Sequence, residues 1–341
     1  MVNVYTTFPV IQDRSPSDFR QRFALTAKWA EAANIRGMLI YTDNTLLDPW
    51  AAAQFLIERT ERLVPLVAVN PVYIHPFSVA RTISSLGFLH ERGVHLNYVT
   101  GGFQRHLDQI GCGLDHDDRY DQLAECAEIV AGLLGNPRPV TYKGKYFQIN
   151  KATVTPRLDP AFLPEIFVAG TSDGCRAVQR RLEATRLSYP REIGSYLGES
   201  PLACTGLRMG IIARDTTEEA WRIARDRFPV YPEGEELHEF VAETVSSHWH
   251  LTLSADAMRS SERIGVYWLY PFRSYQTYCP YLVGSYAEVG ELLGRYLELG
   301  ATTIILDELY EEDDVHHAML ALEHSGRLDV SGAPGASSKA G

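Results

Sequence analysis

Basic residues are outnumbered in this chain. Lysine and arginine total 32, against 43 aspartates and glutamates, and the formal net charge is −11. No basic run interrupts this balance, so the sequence predicts no nucleic-acid partner and no membrane partner. Long apolar runs are also missing, because no stretch approaches the roughly 18 apolar residues of a membrane helix and no secretion signal opens the chain. We expect a soluble cytoplasmic protein.

Cysteine is scarce and widely spaced. The five cysteines include no C-x-x-C pair, and their number is odd. Such spacing does not predict a disulfide framework or a zinc site, and reduced thiols are the simplest interpretation.

Three nucleotide and metal motifs are absent as well. There is no G-x-G-x-x-G after a strand, no G-x-x-x-x-G-K and no H-E-x-x-H, which excludes a Rossmann nucleotide site, a P-loop and a zinc-protease helix. His248-Trp249-His250 is interpreted as strand sequence that could place two imidazoles on one face. It has no third ligand in view, and we predict no metal site.

The sequence does contain a repeated alternation of strands and helices. The predicted strands are apolar on both faces, as in a parallel sheet that helices cover. They are 3–8, 37–41, 63–69, 94–99, 165–169, 185–189, 207–213 and 302–306. This number favours an α/β architecture, a single (β/α)8 TIM barrel over residues 1–330, with an open doubly wound sheet as the alternative.

Two segments interrupt the alternation. Residues near 135–160 contain a predicted hairpin, Val140 to Val154, and residues 228–282 form a longer insertion. A helix is expected after Pro190. The tail, 331–341, is predicted to be disordered because its Gly, Ala and Ser residues provide no core.

Two strand ends carry residues suited to binding a ligand. The strand at 94–99 leads into Thr100-Gly101-Gly102, and the strand at 165–169 leads into Gly170-Thr171-Ser172-Asp173-Gly174. Small and hydroxyl residues at such ends bring N–H and O–H donors close to a ligand. The second turn allows three interpretations: a phosphate cradle at a helix N-terminus, a G-x-S-x-G nucleophile elbow with Ser172, or an ordinary helix cap. No His-Gly-Gly oxyanion loop precedes it, and its position in the second half of a barrel favours phosphate.

A segment rich in aromatic residues, Val266 to Tyr281, also contains Arg273. Two interpretations remain open for it. The segment could pack the insertion against the barrel, or it could form a lid that keeps water from a reactive site.

Taken in chain order, several motifs resemble a known family. They are Leu39-Ile40-Tyr41-Thr42, Val67-Ala68-Val69-Asn70-Pro71, Leu96-Asn97-Tyr98-Val99-Thr100-Gly101, Asp115-His116 with Arg119-Tyr120, and Gly170-Thr171-Ser172-Asp173. This ordered set resembles the bacterial luciferase-like flavin monooxygenases, in particular the alkanesulfonate monooxygenase branch.

The resemblance implies a luciferase-like barrel, usually a homo-oligomer, that receives FMNH2 from a separate NAD(P)H:flavin reductase. It also implies that the reduced flavin adds O2 to give a peroxyflavin, which a dry pocket protects while a small organic substrate is oxidised. The flavin-binding residues that it implies are Thr100, Tyr120, Thr171 and Ser172 for the phosphate and ribityl chain, and Thr42 and Asn97 for the isoalloxazine ring.

Departures from the sulfonate branch limit the substrate. Leu46 stands where that branch has a cysteine, Gly210 where it has a histidine, and Tyr189 where it has a tryptophan. A simple alkanesulfonate is therefore not the expected substrate.

Three residues are candidates for catalysis. Arg208 and Arg273 could bind an anion or stabilise a peroxide, and Tyr310 could donate a proton. The departures also leave a non-catalytic flavin-binding protein of the same fold as an alternative. A second alternative is a serine hydrolase that uses Ser172. A third is that the protein binds a deazaflavin in place of FMN.

Overall fold

The computed structural model describes residues 2–9, 15–198, 200–242, 248–259 and 263–326. The predicted tail, 331–341, lies outside the described residues. In chain order the strands are Asn3–Thr7 (β1), Gly37–Ile40 (β2), Val64–Val69 (β3), His95–Tyr98 (β4), Val140–Lys143 (β5), Gln148–Ala152 (β6), Ile166–Ala169 (β7), Thr185–Ser188 (β8), Thr205–Arg214 (β9), Arg263–Ile264 (β10), Tyr267–Trp268 (β11), Tyr281–Ser285 (β12) and Ala301–Leu306 (β13).

The helices alternate with these strands. They are Pro16–Ala32 (α1), Pro49–Ile57 (α2), Pro76–His90 (α3), Gln104–Gln109 (α4), His116–Gly135 (α5), Asp173–Leu182 (α6), Thr217–Arg227 (α7), Pro232–Ala242 (α8), His248–Arg259 (α9), Tyr270–Arg273 (α10), Tyr286–Glu298 (α11) and Glu312–His324 (α12). Short polar side chains fix several helix starts. Ser15 accepts a hydrogen bond from the Asp18 N–H before α1, and Ser285 forms a capping box with Glu288 before α11.

Eight parallel strands close into a barrel. The ring runs β1–β2–β3–β4–β7–β8–β9–β13 and returns to β1. Tyr5 of β1 pairs with Gly37 of β2 on one side and with Ile305 of β13 on the other. The predicted (β/α)8 barrel is therefore confirmed, and the open sheet is wrong.

Apolar side chains fill both sides of the strand ring. One buried cluster joins side chains from different barrel strands in the barrel interior, namely Tyr5, Leu39, Leu66, Phe167, Leu187 and Ile305. A larger cluster lies between the strands and the helices around them. Because every barrel strand is covered on both faces, the strands read as continuous apolar runs in the sequence.

The predicted hairpin is present as β5 and β6, which pair antiparallel. Its tip folds over helix α5, where the Glu125 carboxylate accepts hydrogen bonds from three consecutive backbone N–H groups. The donors are Lys145 at 2.6 Å, Tyr146 at 2.9 Å and Phe147 at 3.1 Å. This carboxylate fixes the hairpin against the outside of the barrel.

The second half of the chain differs from the prediction in three ways. The second half of β9 continues beyond the barrel, and strand β12 pairs with it in parallel. His248 begins helix α9, so the strand interpretation of His248-Trp249-His250 is wrong. After Pro190 the chain forms only a short 3₁₀ turn, Ile193–Ser195, and the predicted helix there is wrong as well.

None of the described helices combines the length and the hydrophobicity of a membrane-spanning segment. Within the same residues, no cluster of His, Cys, Asp and Glu is arranged to hold a metal ion. The five cysteines are unpaired.

Candidate active site

A cavity of about 530 Å³ opens at the carboxyl ends of the barrel strands. Its floor is formed by the strands themselves, through Leu39, Ala68, Asn97, Ala169, Leu187, Arg208 and Ile305. Its walls come from the segments that follow strands β2, β4 and β7. This is the face on which barrels of this kind place their ligands.

All six residues predicted to bind a flavin lie in the wall of this one cavity. They come from four separate places in the chain: Thr42 after β2, Asn97 and Thr100 in and after β4, Tyr120 in α5, and Thr171 and Ser172 before α6. Barrel closure brings them together, because each lies at or near the carboxyl end of a strand or in the helix beside it.

Tyr120 connects the two predicted turns. It is buried, with 4% of its surface exposed, and its hydroxyl donates a hydrogen bond to the Ala169 carbonyl oxygen at 3.2 Å. Burial raises the pKa of Tyr120, and hydrogen bonding from Ser172 and Thr100 acts in the opposite direction. The phenol therefore stays protonated near neutral pH, and both hydroxyl-bearing turns meet at it.

The second turn is shaped by Gly170 and Ser172. Gly170 has a φ of +140°, and its missing side chain makes room for Tyr120 and Cys175. Ser172 caps helix α6, accepting a hydrogen bond from the Cys175 N–H at 3.3 Å. The positive end of the helix dipole consequently faces the cavity beside two hydroxyl side chains, an arrangement suited to an anionic group.

Asn97 lines the cavity and contains an unused acceptor. Its residue is 5% exposed, and within the described chain its buried Oδ1 atom has no hydrogen-bond partner. A buried amide oxygen without a partner costs about 1–3 kcal/mol.

A buried ion pair lies at the floor. Arg208 donates to Asp307 Oδ1 from Nε at 2.9 Å and from Nη2 at 2.7 Å, and Nη2 also donates to the Tyr41 hydroxyl at 3.3 Å. The guanidinium carbon is 4.6 Å from the centre of the Tyr41 ring. Burial raises the pKa of Tyr41 more strongly than the adjacent Arg208 lowers it, so this phenol is also protonated.

The other two catalytic candidates lie elsewhere. Arg273 pairs with Glu235 at 3.1 Å and stacks on Tyr270. Tyr310 packs against Phe228 and lies 4.8 Å from the Arg227 guanidinium. Neither is among the described residues that line the cavity. Of the three candidates, Arg208 alone reaches its wall.

Sequence reasoning missed three residues of this site. Tyr41 and Asp307 each stand at the carboxyl end of a barrel strand, where polar residues are informative, and that position could have identified them. His116 lines the cavity as well, with its ring centre 5.1 Å from that of Tyr120. It belongs to the Asp115-His116 motif that contributed to the family resemblance, but that motif did not assign His116 to the cavity.

The mouth of the cavity is tied across two loops. Asn44, in the loop after β2, donates to the His106 carbonyl oxygen at 3.0 Å and to Gln109 Oε1 at 2.7 Å in helix α4. Tyr73 donates to Asn44 Oδ1 at 2.5 Å. Tyr278, from the aromatic segment, also reaches the cavity wall. These contacts narrow the access of water to the interior.

Comparison with known proteins identifies the class and then the family. Residues 5–183 match the family model described as luciferase-like monooxygenase. The chain is 30% identical over 309 residues to 4-(gamma-L-glutamylamino)butanoyl-(BtrI acyl-carrier protein) monooxygenase BtrO of Niallia circulans, covering 88% of this chain and 90% of that protein. The protein is an enzyme, a flavin-dependent monooxygenase. It belongs to the luciferase-like monooxygenase family, as the motifs predicted.

Two solved structures share the fold. EDTA monooxygenase (EmoA) from Chelativorans sp. BNC1 has a TM-score of 0.71 at 16% identity, with 96% of this chain and 94% of that chain covered. The oxygenating constituent of 3,6-diketocamphane monooxygenase of Pseudomonas putida, in complex with FMN, has a TM-score of 0.66 at 17% identity, with 96% and 97% covered. At these identities the two structures support the barrel architecture.

Proposed function

We propose that the protein is the oxygenating component of a two-component system. It would bind FMNH2 from a separate NAD(P)H:flavin reductase and use O2 to oxidise a small organic substrate other than a simple alkanesulfonate. The Niallia circulans relative is named for an acyl substrate, which supports this exclusion. We also propose a homo-oligomer, a dimer or tetramer, as the resemblance to the family implies.

The cavity residues fit FMN. Thr100, Tyr120, Thr171 and Ser172 would hold the phosphate and ribityl chain at the α6 N-terminus. Thr42 and Asn97 would lie beside the isoalloxazine ring. Bound reduced FMN would supply the electrons that activate O2.

The chain itself would provide binding, orientation and exclusion of water. The Asn44 contacts and Tyr278 restrict the mouth, and the buried pair of Arg208 and Asp307 keeps one polar surface on an otherwise largely apolar floor. Protecting a reduced cofactor from water is what such a pocket contributes to oxygen chemistry.

One observation carries the proposal: Thr100, Tyr120 and Ser172 come from different parts of the chain and line one cavity, where the buried Tyr120 hydroxyl donates to the Ala169 carbonyl oxygen just before the Ser172 turn. The same arrangement argues against the hydrolase alternative. Ser172 is engaged as a helix cap, whereas a serine nucleophile needs a histidine base.

The test is a pair of measurements on the purified protein. Titration with oxidised and photoreduced FMN under anaerobic conditions should show binding, with the reduced form preferred. Addition of NADH, a flavin reductase and O2 should then give product from a substrate panel only when all components are present. Failure to bind flavin in either redox state would refute the proposal, and product formed without the reductase or without O2 would refute the two-component mechanism.

A further inference from the structure

An arginine that lines the cavity is already neutralised by a carboxylate. Among the described residues that line the cavity, Arg208 is the single Lys or Arg and Asp43 the single Asp or Glu. Asp307 does not line the cavity and holds the guanidinium from the other side. The exposed side-chain fractions are 12% for Arg208 and 6% for Asp307. The guanidinium of Arg208 therefore faces the cavity, but the ion pair as a whole carries no net charge.

The pair is also held in one orientation. Asp307 Oδ1 accepts from both Nε and Nη2, and Asp307 Oδ2 is 3.4 Å from the Tyr281 hydroxyl, which donates to it. Tyr41 stacks on the guanidinium and accepts from Nη2. Tyr189, which also lines the cavity, lies on the guanidinium as well, with its ring centre 5.9 Å from the guanidinium carbon.

We propose that Asp307 determines specificity by charge compensation, so that Arg208 receives a neutral carbonyl oxygen of the substrate, as in a ketone, ester or amide, and rejects a carboxylate or sulfonate. This proposal rests on the proposed function, because it concerns the substrate of the same cavity. A neutral oxygen needs only a hydrogen bond from the guanidinium. An anion would have to lose its water shell beside a cation whose charge Asp307 already balances.

The effect of the Asp307 charge can be separated from the effect of its hydrogen bonds to Arg208. In Asp307→Asn the amide oxygen can still accept from Nε and Nη2, but the negative charge is removed. Arg208 then becomes an uncompensated buried cation, and an anionic ligand would gain the attraction that the carboxylate now uses.

The experiment compares hexanamide with hexanoate and hexanesulfonate, measured by calorimetry at pH 7.5 with the FMN-loaded protein and again without flavin. We expect the wild-type protein to bind hexanamide at least about tenfold more tightly than either anion, a ratio that corresponds to about 1.4 kcal/mol. Asp307→Asn should bind hexanoate at least about tenfold more tightly than the wild type does, which would cancel a tenfold preference for the amide.

A matched control removes a different buried carboxylate. Asp314 pairs with Arg227 at 2.8 Å, with exposed fractions of 4% and 14%, and lies outside the cavity wall. Asp314→Asn should leave both ligand affinities within about twofold, because additive effects are expected for residues that do not share partners.

The wild-type ratio decides the proposal even if Asp307→Asn does not fold. Equal affinities, tighter binding of either anion, or no measurable binding of hexanamide would overturn it. Flavin binding together with a preference for an anion would refute the charge-compensation proposal and leave the proposed function standing. Absence of flavin binding together with a preference for the amide would refute the proposed function and leave the charge-compensation proposal standing.

Discussion

A Cβ atom at position 170 would lie 2.4 Å from the hydroxyl oxygen of Tyr120. Gly170 thus defines the space in which the phenol sits, and its φ of +140° is a conformation that other residues rarely adopt. Since Tyr120 lines the same cavity as Thr100 and Ser172, a side chain at position 170 that displaces the phenol would disturb this part of the site.

We therefore predict that Gly170→Ala weakens both the fold and the flavin site. The unfolding free energy should fall by about 1–3 kcal/mol because of backbone strain, and the affinity for FMN should fall at least about tenfold as Tyr120 moves. Urea unfolding and fluorescence titration measure the two effects. Gly113→Ala is the matched control, because a Cβ there meets nothing within 4 Å. An unchanged FMN affinity in Gly170→Ala would contradict the role of this turn.

A second prediction concerns the hydroxyl groups. Thr100→Val keeps the shape of the side chain but removes its hydrogen bonds, and Ser172→Ala removes the other hydroxyl. Each should lower the affinity for FMN by about 1–3 kcal/mol, as expected for hydrogen bonds to a charged group. The affinity for riboflavin, which lacks the phosphate, should change little.

Ser172 also caps a helix, so its loss has a separate cost of about 1 kcal/mol in stability. Ser285→Ala provides the control, since Ser285 caps α11 and does not line the cavity. It should lower stability without affecting FMN binding. If the Thr100 and Ser172 variants lose riboflavin affinity as strongly as FMN affinity, these hydroxyls do not bind the phosphate.

The sequence predicted the barrel for a physical reason. Strands covered on both faces are apolar throughout, and their carboxyl ends meet on one face once the barrel closes. Thr42, Asn97 and Ser172 were assigned to a flavin through the family resemblance. The common end of the strands explains why these residues line one cavity.

Other features depend on contacts that the order of strands does not determine. Strand β12 forms by pairing with the free edge of the outer half of β9. No local pattern in residues 228–282 predicts that pairing. The pairing of Arg208 with Asp307 joins neighbouring strands that are distant in the chain, and it requires the register of β9 against β13. Arg273 looked equivalent to Arg208 in sequence, but Glu235 pairs with it away from the cavity wall.

A third prediction ranks the catalytic candidates. Because Arg208 lines the cavity, Arg208→Lys, which retains the charge but loses the paired hydrogen bonds to Asp307, should lower turnover at least about tenfold. Tyr310→Phe and Arg273→Lys should cost less than Arg208→Lys. Oxygen consumption in the reductase-coupled assay, analysed for kcat and KM separately, makes the comparison. A loss in Tyr310→Phe that matches the loss in Arg208→Lys would restore Tyr310 as the proton donor.

The last prediction concerns pH and lies at the opposite end of the barrel strands. His95 begins β4, and its Nδ1 accepts a hydrogen bond from the Glu165 N–H at 3.0 Å. Burial lowers the pKa of His95 to about 4, opposed by the attraction of Glu165 and assisted by the repulsion of Arg36. The folded protein therefore favours the neutral form of the His95 ring.

The sign of the effect follows from the unfolded chain, in which a histidine has a pKa of about 6.5. Between the two values the unfolded state binds more protons, so stability rises with pH across this window. The contribution of His95 is complete above about pH 6.5 and is lost as the pH falls towards 4; at pH 5 the loss amounts to about 2 kcal/mol. His95→Asn, whose amide oxygen can take over the acceptor role, should lose less stability than the wild type between pH 7.5 and pH 5. Urea unfolding at both pH values measures the difference, and identical pH dependence in the two proteins would show that His95 is not buried in its neutral form.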